Sequence, residues 1–133
     1  MKIIDIEGIG PAYAEKLSAA GIRSTEALLK RGATRKGRKE LALATEIADA
    51  LILEWVNLAD LFRIKGVGSE YSDLLEEAGV DTVAELAKRV GEKLYAKMVD
   101  VNKAKNLVNK LPSSKQVQGW IDQAKQLPRV VTY

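Results

Sequence analysis

The chain has 133 residues, and its 47% hydrophobic content can fill the core of one domain or of two very small ones. It contains no cysteine and no histidine, which excludes disulfides, thiolate sites and the most common general base and metal ligand. Its 21 basic and 18 acidic side chains nearly cancel, so the net charge of +3 does not by itself indicate a nucleic-acid binder.

The first half of the chain predicts four helices separated by glycines and capping residues. Pro11 suits a first helical position because its fixed φ and missing N–H cost nothing there. Gly21 supplies a left-handed stop, and Ser24 and Thr34 can cap a second and a third helix. A fourth, amphipathic helix is predicted over 47–61.

The second half repeats this logic, with Gly79 as a helix stop and Asp81 as an N-cap. Ser113 and Gln116 have the spacing of a capping box for the last helix. The predicted helices cover 69–78, 82–89, 92–111 as one long or two abutting helices, and 113–127. Because no segment alternates at period two for long enough to form a strand, the predicted fold class is all-α.

An internal repeat organises the chain. At an offset of 58, residues 6–10 align with residues 64–68, and at an offset of 65 Trp55 aligns with Trp120. Seven extra residues therefore lie inside the second copy. The predicted architecture is two repeats, 1–62 and 63–127, packed into one compact helical domain and followed by an extended tail, 128–133.

Each repeat has an apolar-Gly-apolar-Gly stretch before a helix, because a sharp turn needs the positive φ that glycine tolerates. Ile9 and Val67, between the glycines, are expected to plug the core, and the helix N–H groups that follow can form a small anion site. Trp55 and Trp120 are predicted to be core anchors, and Tyr13 and Tyr71 half-buried packing residues.

The two glycine stretches, each followed by Ala-Gly-Ile or Ala-Gly-Val, resemble the helix-hairpin-helix motif of DNA repair proteins, recombinases and related nucleic-acid-binding domains. Over its full length the chain is similar to an uncharacterised bacterial family of tandem helix-hairpin-helix proteins, a domain of unknown function. This similarity rests on residues 66–71, 74–82 and 127–133. It implies a fold and no established activity.

Two segments depart from the pattern expected of such relatives. A glycine-containing turn is expected where residues 44–50 stand, and an Asn-Pro turn where residues 89–91 stand. Together with the absence of histidine, these changes suit a natural scaffold whose surface was redesigned.

We interpret the chain as a non-catalytic binding module, foremost a protein-interaction module, natural or with an engineered surface. The two departing segments are the predicted interaction surface. Its residues are Glu46, Ile47, Asp49, Ala50, Val90, Gly91 and Lys93.

The alternative partner is the backbone of duplex DNA, bound without reading sequence. Ten residues without an acid, 30–39, carry six cations, although the helix after the second glycine stretch is acidic and would repel phosphate. The predicted nucleic-acid site consists of Gly8, Ile9, Gly10, Lys65, Gly66, Val67, Gly68, Lys30, Arg31, Arg35, Lys36, Arg38 and Lys39.

No catalytic motif occurs, so we do not expect an enzyme, a cofactor or a small-molecule substrate. The carboxylate pairs Glu76 with Glu77, or Asp73 with Glu77, could in principle hold a metal, but on a charged helix surface such carboxylates are usually solvated, and no metal site is predicted. The apolar runs are far shorter than the roughly 20 residues of a membrane span. The first residues do not resemble a signal peptide. We therefore expect a cytoplasmic protein without a membrane partner.

Overall fold

The computed structural model describes all residues, 1–133, and its regular structure is helical throughout, which confirms the predicted all-α class. A short 3-10 helix, Ile3–Asp5, precedes eight α-helices. These are α1 Pro11–Ala19, α2 Thr25–Gly32, α3 Arg35–Thr45, α4 Asp49–Leu61, α5 Ser69–Glu77, α6 Val83–Leu86, α7 Gly91–Lys105 and α8 Ser114–Lys125. None of them combines the length and the apolar character of a membrane-spanning helix.

The residue contacts divide the chain into two compact units. The first unit contains Met1–Asp60 together with Val130–Tyr133, and the second contains Leu61–Arg129. Of the predicted tail, 128–133, the last four residues therefore belong to the first unit. From here on, "the tail" means these four residues, Val130–Tyr133. There Val131 is buried, and the backbone N–H of Thr132 donates to the carbonyl of Ala33 at 2.8 Å.

Local capping chemistry places most helix ends where the sequence predicts them. The side chains of Ser24 and Thr34 accept a backbone N–H of the first turn at 3.1 and 3.0 Å, and Ser113 forms its predicted capping box. Gly21 and Gly79 take φ values of 86° and 93° just after α1 and α5. These caps and stops are confirmed.

The start of α6 differs from the prediction. Thr82, and not Asp81, is the N-cap, because the Thr82 hydroxyl accepts the backbone N–H of Glu85 at 3.3 Å. The helix is also shorter than predicted and contains only Val83–Leu86.

The end of α7 also differs from the prediction. The helix stops at Lys105 because Asn106 adopts a left-handed conformation with φ 50°. The Asn102 side chain then holds the chain beyond the helix. Its amide donates to the carbonyl of Val108 at 3.1 Å and its carbonyl accepts the Val108 N–H at 2.9 Å. A single side chain satisfying both backbone groups of Val108 replaces the helical hydrogen bonds expected up to residue 111.

A tryptophan of the last helix anchors each unit. Trp55 of α4 and Trp120 of α8 are 1% and 3% exposed, which confirms them as core residues. Half-buried tyrosines pack on them, with ring centroids 5.0 Å apart for Tyr13 and Trp55 and 5.3 Å apart for Tyr71 and Trp120. Such tilted ring pairs add to the stabilisation from apolar burial.

Each indole lies directly beneath a glycine turn; we call residues 6–10 the first glycine turn and residues 64–68 the second. Gly8 and Gly66 have φ values of 94° and 95°, and a Cβ on them would lie 3.2 and 3.1 Å from the Nε1 atom of the tryptophan. Ile9 and Val67 are each 4% exposed and plug the core, as predicted. Both the backbone angle and the close indole therefore favour glycine at these two positions.

Replacing Gly66 by alanine should lower the free energy of unfolding by about 1–3 kcal/mol, because alanine is strained at this φ and its Cβ meets the Trp120 ring. Gly68→Ala is the matched control, since Gly68 has a φ of −101° and no atom within 4 Å of an added Cβ. Because Gly68 is the N-cap of α5 and alanine caps a helix less well than glycine, this variant should lower the stability by no more than about 0.5–1 kcal/mol. Urea unfolding of both variants checks this; equal losses would contradict the argument.

Glu46 ends α3 in a left-handed conformation, with φ 57°, in the segment where relatives were expected to have glycine. Glu46→Gly should raise the free energy of unfolding by about 0.5–1 kcal/mol, since relief of the backbone strain exceeds the added entropy of the unfolded chain. Glu40→Gly, in the exposed interior of the same helix, should instead lower it by about 1 kcal/mol. Thermal and urea unfolding of both variants should show changes of opposite sign in the free energy of unfolding, positive for Glu46→Gly and negative for Glu40→Gly.

Candidate functional site

The cations predicted over 30–39 separate into an exposed group and one buried side chain. The exposed members are Lys30, Arg31, Arg35, Lys36 and Lys39. Arg38 is only 5% exposed. Arg38 is therefore not one of the cations that can contact an anionic partner in solution.

Arg38 instead holds the tail against α2 and α3. Its guanidinium donates to the carbonyls of Gly32 at 2.8 Å, Ala33 at 3.1 Å and Thr132 at 2.7 Å. It also lies 5.8 Å from the centre of the Tyr133 ring, within range of a cation–π contact. Burial lowers the pKa of Arg38 below its ordinary value, yet the group stays charged because arginine titrates only in strong base.

The internal repeat carries an equivalent set of cations into the second unit, although the nucleic-acid site predicted from the sequence includes none of them. At the offset of 58, four basic positions of the first unit have basic counterparts. We call Lys30, Arg31, Arg35 and Lys39 the first basic face, and Lys88, Arg89, Lys93 and Lys97 the second basic face. The self-alignment pairs Lys30 and Arg31 with Lys88 and Arg89. Extending it past residue 89 adds the pairs Arg35 with Lys93 and Lys39 with Lys97, so the second face could have been found in the sequence.

The second basic face lines a surface pocket of about 260 Å³ together with Val90 and Leu94. Arg89 is held in place by a 2.6 Å hydrogen bond to the carbonyl of Gly79 and a 3.2 Å ion pair with Glu85. A Cβ on Gly79 would lie 3.6 Å from the Lys97 Nζ, so both cations meet at the end of α5. Because a helix C-terminus carries partial negative charge, it stabilises this concentration of cations.

The first basic face has a corresponding anchor. The Arg31 guanidinium donates to the carbonyl of Ala20, next to the end of α1, at 3.4 Å. Arg35 and Lys39 are one turn apart on α3 and both are exposed. In each unit, an arginine bound to a helix end is thus accompanied by exposed cations of the next helix.

The glycine turns contribute fewer donors than predicted. The backbone N–H groups of Ile9 and Val67 are used within the turns and donate to the carbonyls of Ile6 and Ile64, each at 3.1 Å. Gly8, Gly10 and Gly66 are exposed, and Gly68 is partly so.

In the second turn the exposed Lys65 is fixed from α8. Its N–H donates to the Gln123 side chain at 2.9 Å, and the Gln123 amide donates back to its carbonyl at 3.1 Å. These two hydrogen bonds fix the backbone of Lys65 and so the position from which its side chain extends.

The two segments predicted as a protein-interaction surface contain few exposed apolar side chains. Ile47 is buried, and Gly91 is buried so close to Gln118 that an added Cβ would collide with it. Val90 is 57% exposed and is the one large apolar side chain that these segments present to solvent. The remaining residues, Glu46, Asp49, Ala50 and Lys93, are exposed.

The acidic side chains of α5 do converge. Asp73, Glu76 and Glu77 can bring one oxygen each within 4.8 Å of the others. Lys105 pairs with Glu77, and this hydrogen bond raises the pKa of Lys105. The carboxylates therefore lie next to a cation of the chain itself.

Arg38→Met should lower the free energy of unfolding by about 2–3 kcal/mol, because three carbonyls lose a charged donor. It should also speed hydrogen exchange at the Thr132 amide, which the tail contact protects. Lys36→Met removes the same charge from an exposed position and should leave both quantities nearly unchanged. Unfolding curves and amide exchange measured on both variants test this prediction. Equal changes in unfolding free energy and in Thr132 exchange for the two variants would contradict the structural role of Arg38.

Comparison with known proteins places the chain in one family. No curated protein and no solved structure matches it. The profile of a domain of unknown function, DUF4332, matches residues 7–127, which is nearly the whole chain. The chain therefore belongs to the DUF4332 family.

Proposed function

We propose that the chain is a non-catalytic module that binds the phosphate backbone of nucleic acid without reading base sequence. The observation that carries this proposal is the recurrence of a basic face, at equivalent positions, in both units. A phosphate backbone presents regularly spaced negative charges, and lysine and arginine side chains are the groups that commonly bind them.

The arrangement of the second unit supports this proposal despite the acidic residues of α5. Arg89 and Lys97 meet at the end of α5, and Lys88 and Lys93 line the same pocket. Glu85 is already paired with Arg89, so its charge is partly compensated. The second unit thus offers a cationic surface of its own, in addition to the acidic side chains of α5 that count against phosphate binding.

The glycine turns add support. Their repeated geometry, with a glycine at positive φ and a buried plug, resembles the helix-hairpin-helix motif. We take the two units as two copies of that motif, with Lys65 beside the second turn as a further phosphate contact. The backbone amides at the start of the helix that follows such a turn are suited to phosphate because they point at the ligand without needing charge.

A protein partner is the second candidate, favoured by exposed Val90 within the second basic face. A cationic pocket that contains one apolar side chain would suit an acidic segment of another protein. The two partners differ in a measurable way, because polyglutamate would compete for such a pocket but would not reproduce the spacing of phosphates.

The first test is fluorescence anisotropy with a labelled random-sequence duplex over a range of salt concentrations. Lys93→Gln/Lys97→Gln should weaken binding and reduce the slope of log affinity against log salt by about 2, one for each lost phosphate contact. Lys103→Gln/Lys110→Gln changes the net charge equally at exposed positions outside the pocket, and should leave the slope almost unchanged.

Three results would reject the proposal. These are the absence of salt-dependent binding by the unaltered protein, equal effects of the two double variants, and displacement of the duplex by polyglutamate at an equal concentration of charges. The third result would establish the acidic protein segment as the partner. For the first unit the corresponding variant is Arg35→Gln/Lys39→Gln, which spares the buried Arg38.

A further inference from the structure

The first unit has a pocket of its own, of about 340 Å³, between α3, α4 and the tail. Its chemistry is mixed, because apolar and aromatic groups lie beside three cations and one carboxylate. The lining residues are Arg35, Arg38, Lys39, Asp49, Ala50, Leu53 and Tyr133. Two of them, Arg35 and Lys39, belong to the first basic face.

We infer that this pocket receives one unpaired base of a single-stranded nucleic acid, whose phosphate lies on Arg35 and Lys39. This inference rests on the proposed function and specifies the form of nucleic acid that the first unit prefers. The base would stack on the ring of Tyr133 and contact the side chain of Leu53.

The ring of Tyr133 is exposed and yet held in position. It is 64% exposed, while its hydroxyl lies 3.4 Å from the side-chain oxygen of Asn57. On the backbone side, Thr132 is fixed by the hydrogen bonds to Ala33 and Arg38. An aromatic ring that is both ordered and accessible is the usual platform for an unpaired base, and it loses little entropy on binding.

The size of the pocket fits a base and not a duplex. Its volume is at the lower end of the roughly 300–1,000 Å³ of small-ligand sites. A base within a duplex is stacked and paired, so it cannot enter such a pocket without being flipped out, which costs a few kcal/mol. The pocket therefore favours nucleic acid whose bases are already unpaired.

The charges divide the pocket into a phosphate side and a base side. Arg35 and Lys39, one turn apart on α3, provide the positive side. Asp49, at the start of α4, would repel a phosphate but can accept a hydrogen bond from a base amino group or ring N–H. This separation matches a nucleotide, which is anionic at one end and has hydrogen-bond donors at the other.

The pocket of the second unit lacks the components for a base. Its only apolar residues are Val90 and Leu94, and no aromatic ring lines it. We therefore assign phosphate binding to both units and base stacking to the first unit alone.

The test compares a labelled single-stranded oligonucleotide with an abasic strand of the same length, which has the same phosphates and no bases. The unaltered protein should bind the normal strand at least about fivefold more tightly, which is the lower end of the effect of stacking one base. Tyr133→Ala should remove this preference and leave the affinity for the abasic strand unchanged. Tyr133→Phe should keep the preference, because it keeps the ring.

Leu43→Ala is the matched control, since Leu43 is an apolar side chain of α3 that is 83% exposed and lies outside the pocket. It should retain the full preference. Equal affinity of the unaltered protein for both strands, with salt dependence intact, would overturn the inference and leave the proposed function standing. The absence of salt-dependent binding to either strand would overturn both. Competition by a free mononucleotide as effective as the strand itself would also overturn the assignment to single strands.

Discussion

The fit of an indole ring beneath a glycine turn is the constraint on which both units depend. Trp55 and Trp120 are almost completely buried, and their Nε1 atoms lie only 3.2 and 3.1 Å from where a Cβ on Gly8 or Gly66 would stand. The positive φ of these glycines directs the chain into the next helix, and the following apolar residue enters the core. Thus one packing contact fixes the turn, the plug and the start of α1 or α5 together, and the basic faces are positioned by the helices that follow.

Helix limits were predictable where the deciding groups are neighbours in sequence. Ser24, Thr34 and Ser113 cap helices through backbone groups only three residues away, so a local pattern contains the whole interaction. The end of α7 was not predictable in this way, because it depends on Asn102 reaching Val108 across a chain that has already left the helix. The pattern of apolar residues continued past that point and indicated a longer helix than the structure contains.

The candidate site was predictable in its charges but not in its shape. The repeat relates the two basic faces, and both follow from aligning the chain with itself. The burial of Arg38 could not be foreseen, since one of its acceptors, the carbonyl of Thr132, lies 94 residues further along the chain. The pocket of the first unit has the same origin. It forms only because the tail packs beside α3 and α4, and no local sequence pattern indicates this contact.

The discontinuous sequence of the first unit has a consequence for biosynthesis. Residues 1–60 leave the ribosome long before Val130–Tyr133, whereas Leu61–Arg129 forms an uninterrupted unit between them. Until Val130–Tyr133 emerge, the nascent first unit has an arginine side chain in its interior without one of its carbonyl acceptors, and lacks the buried Val131. The second unit can therefore complete its folding first, and the first unit, although most of it is synthesised earlier, reaches its native state later.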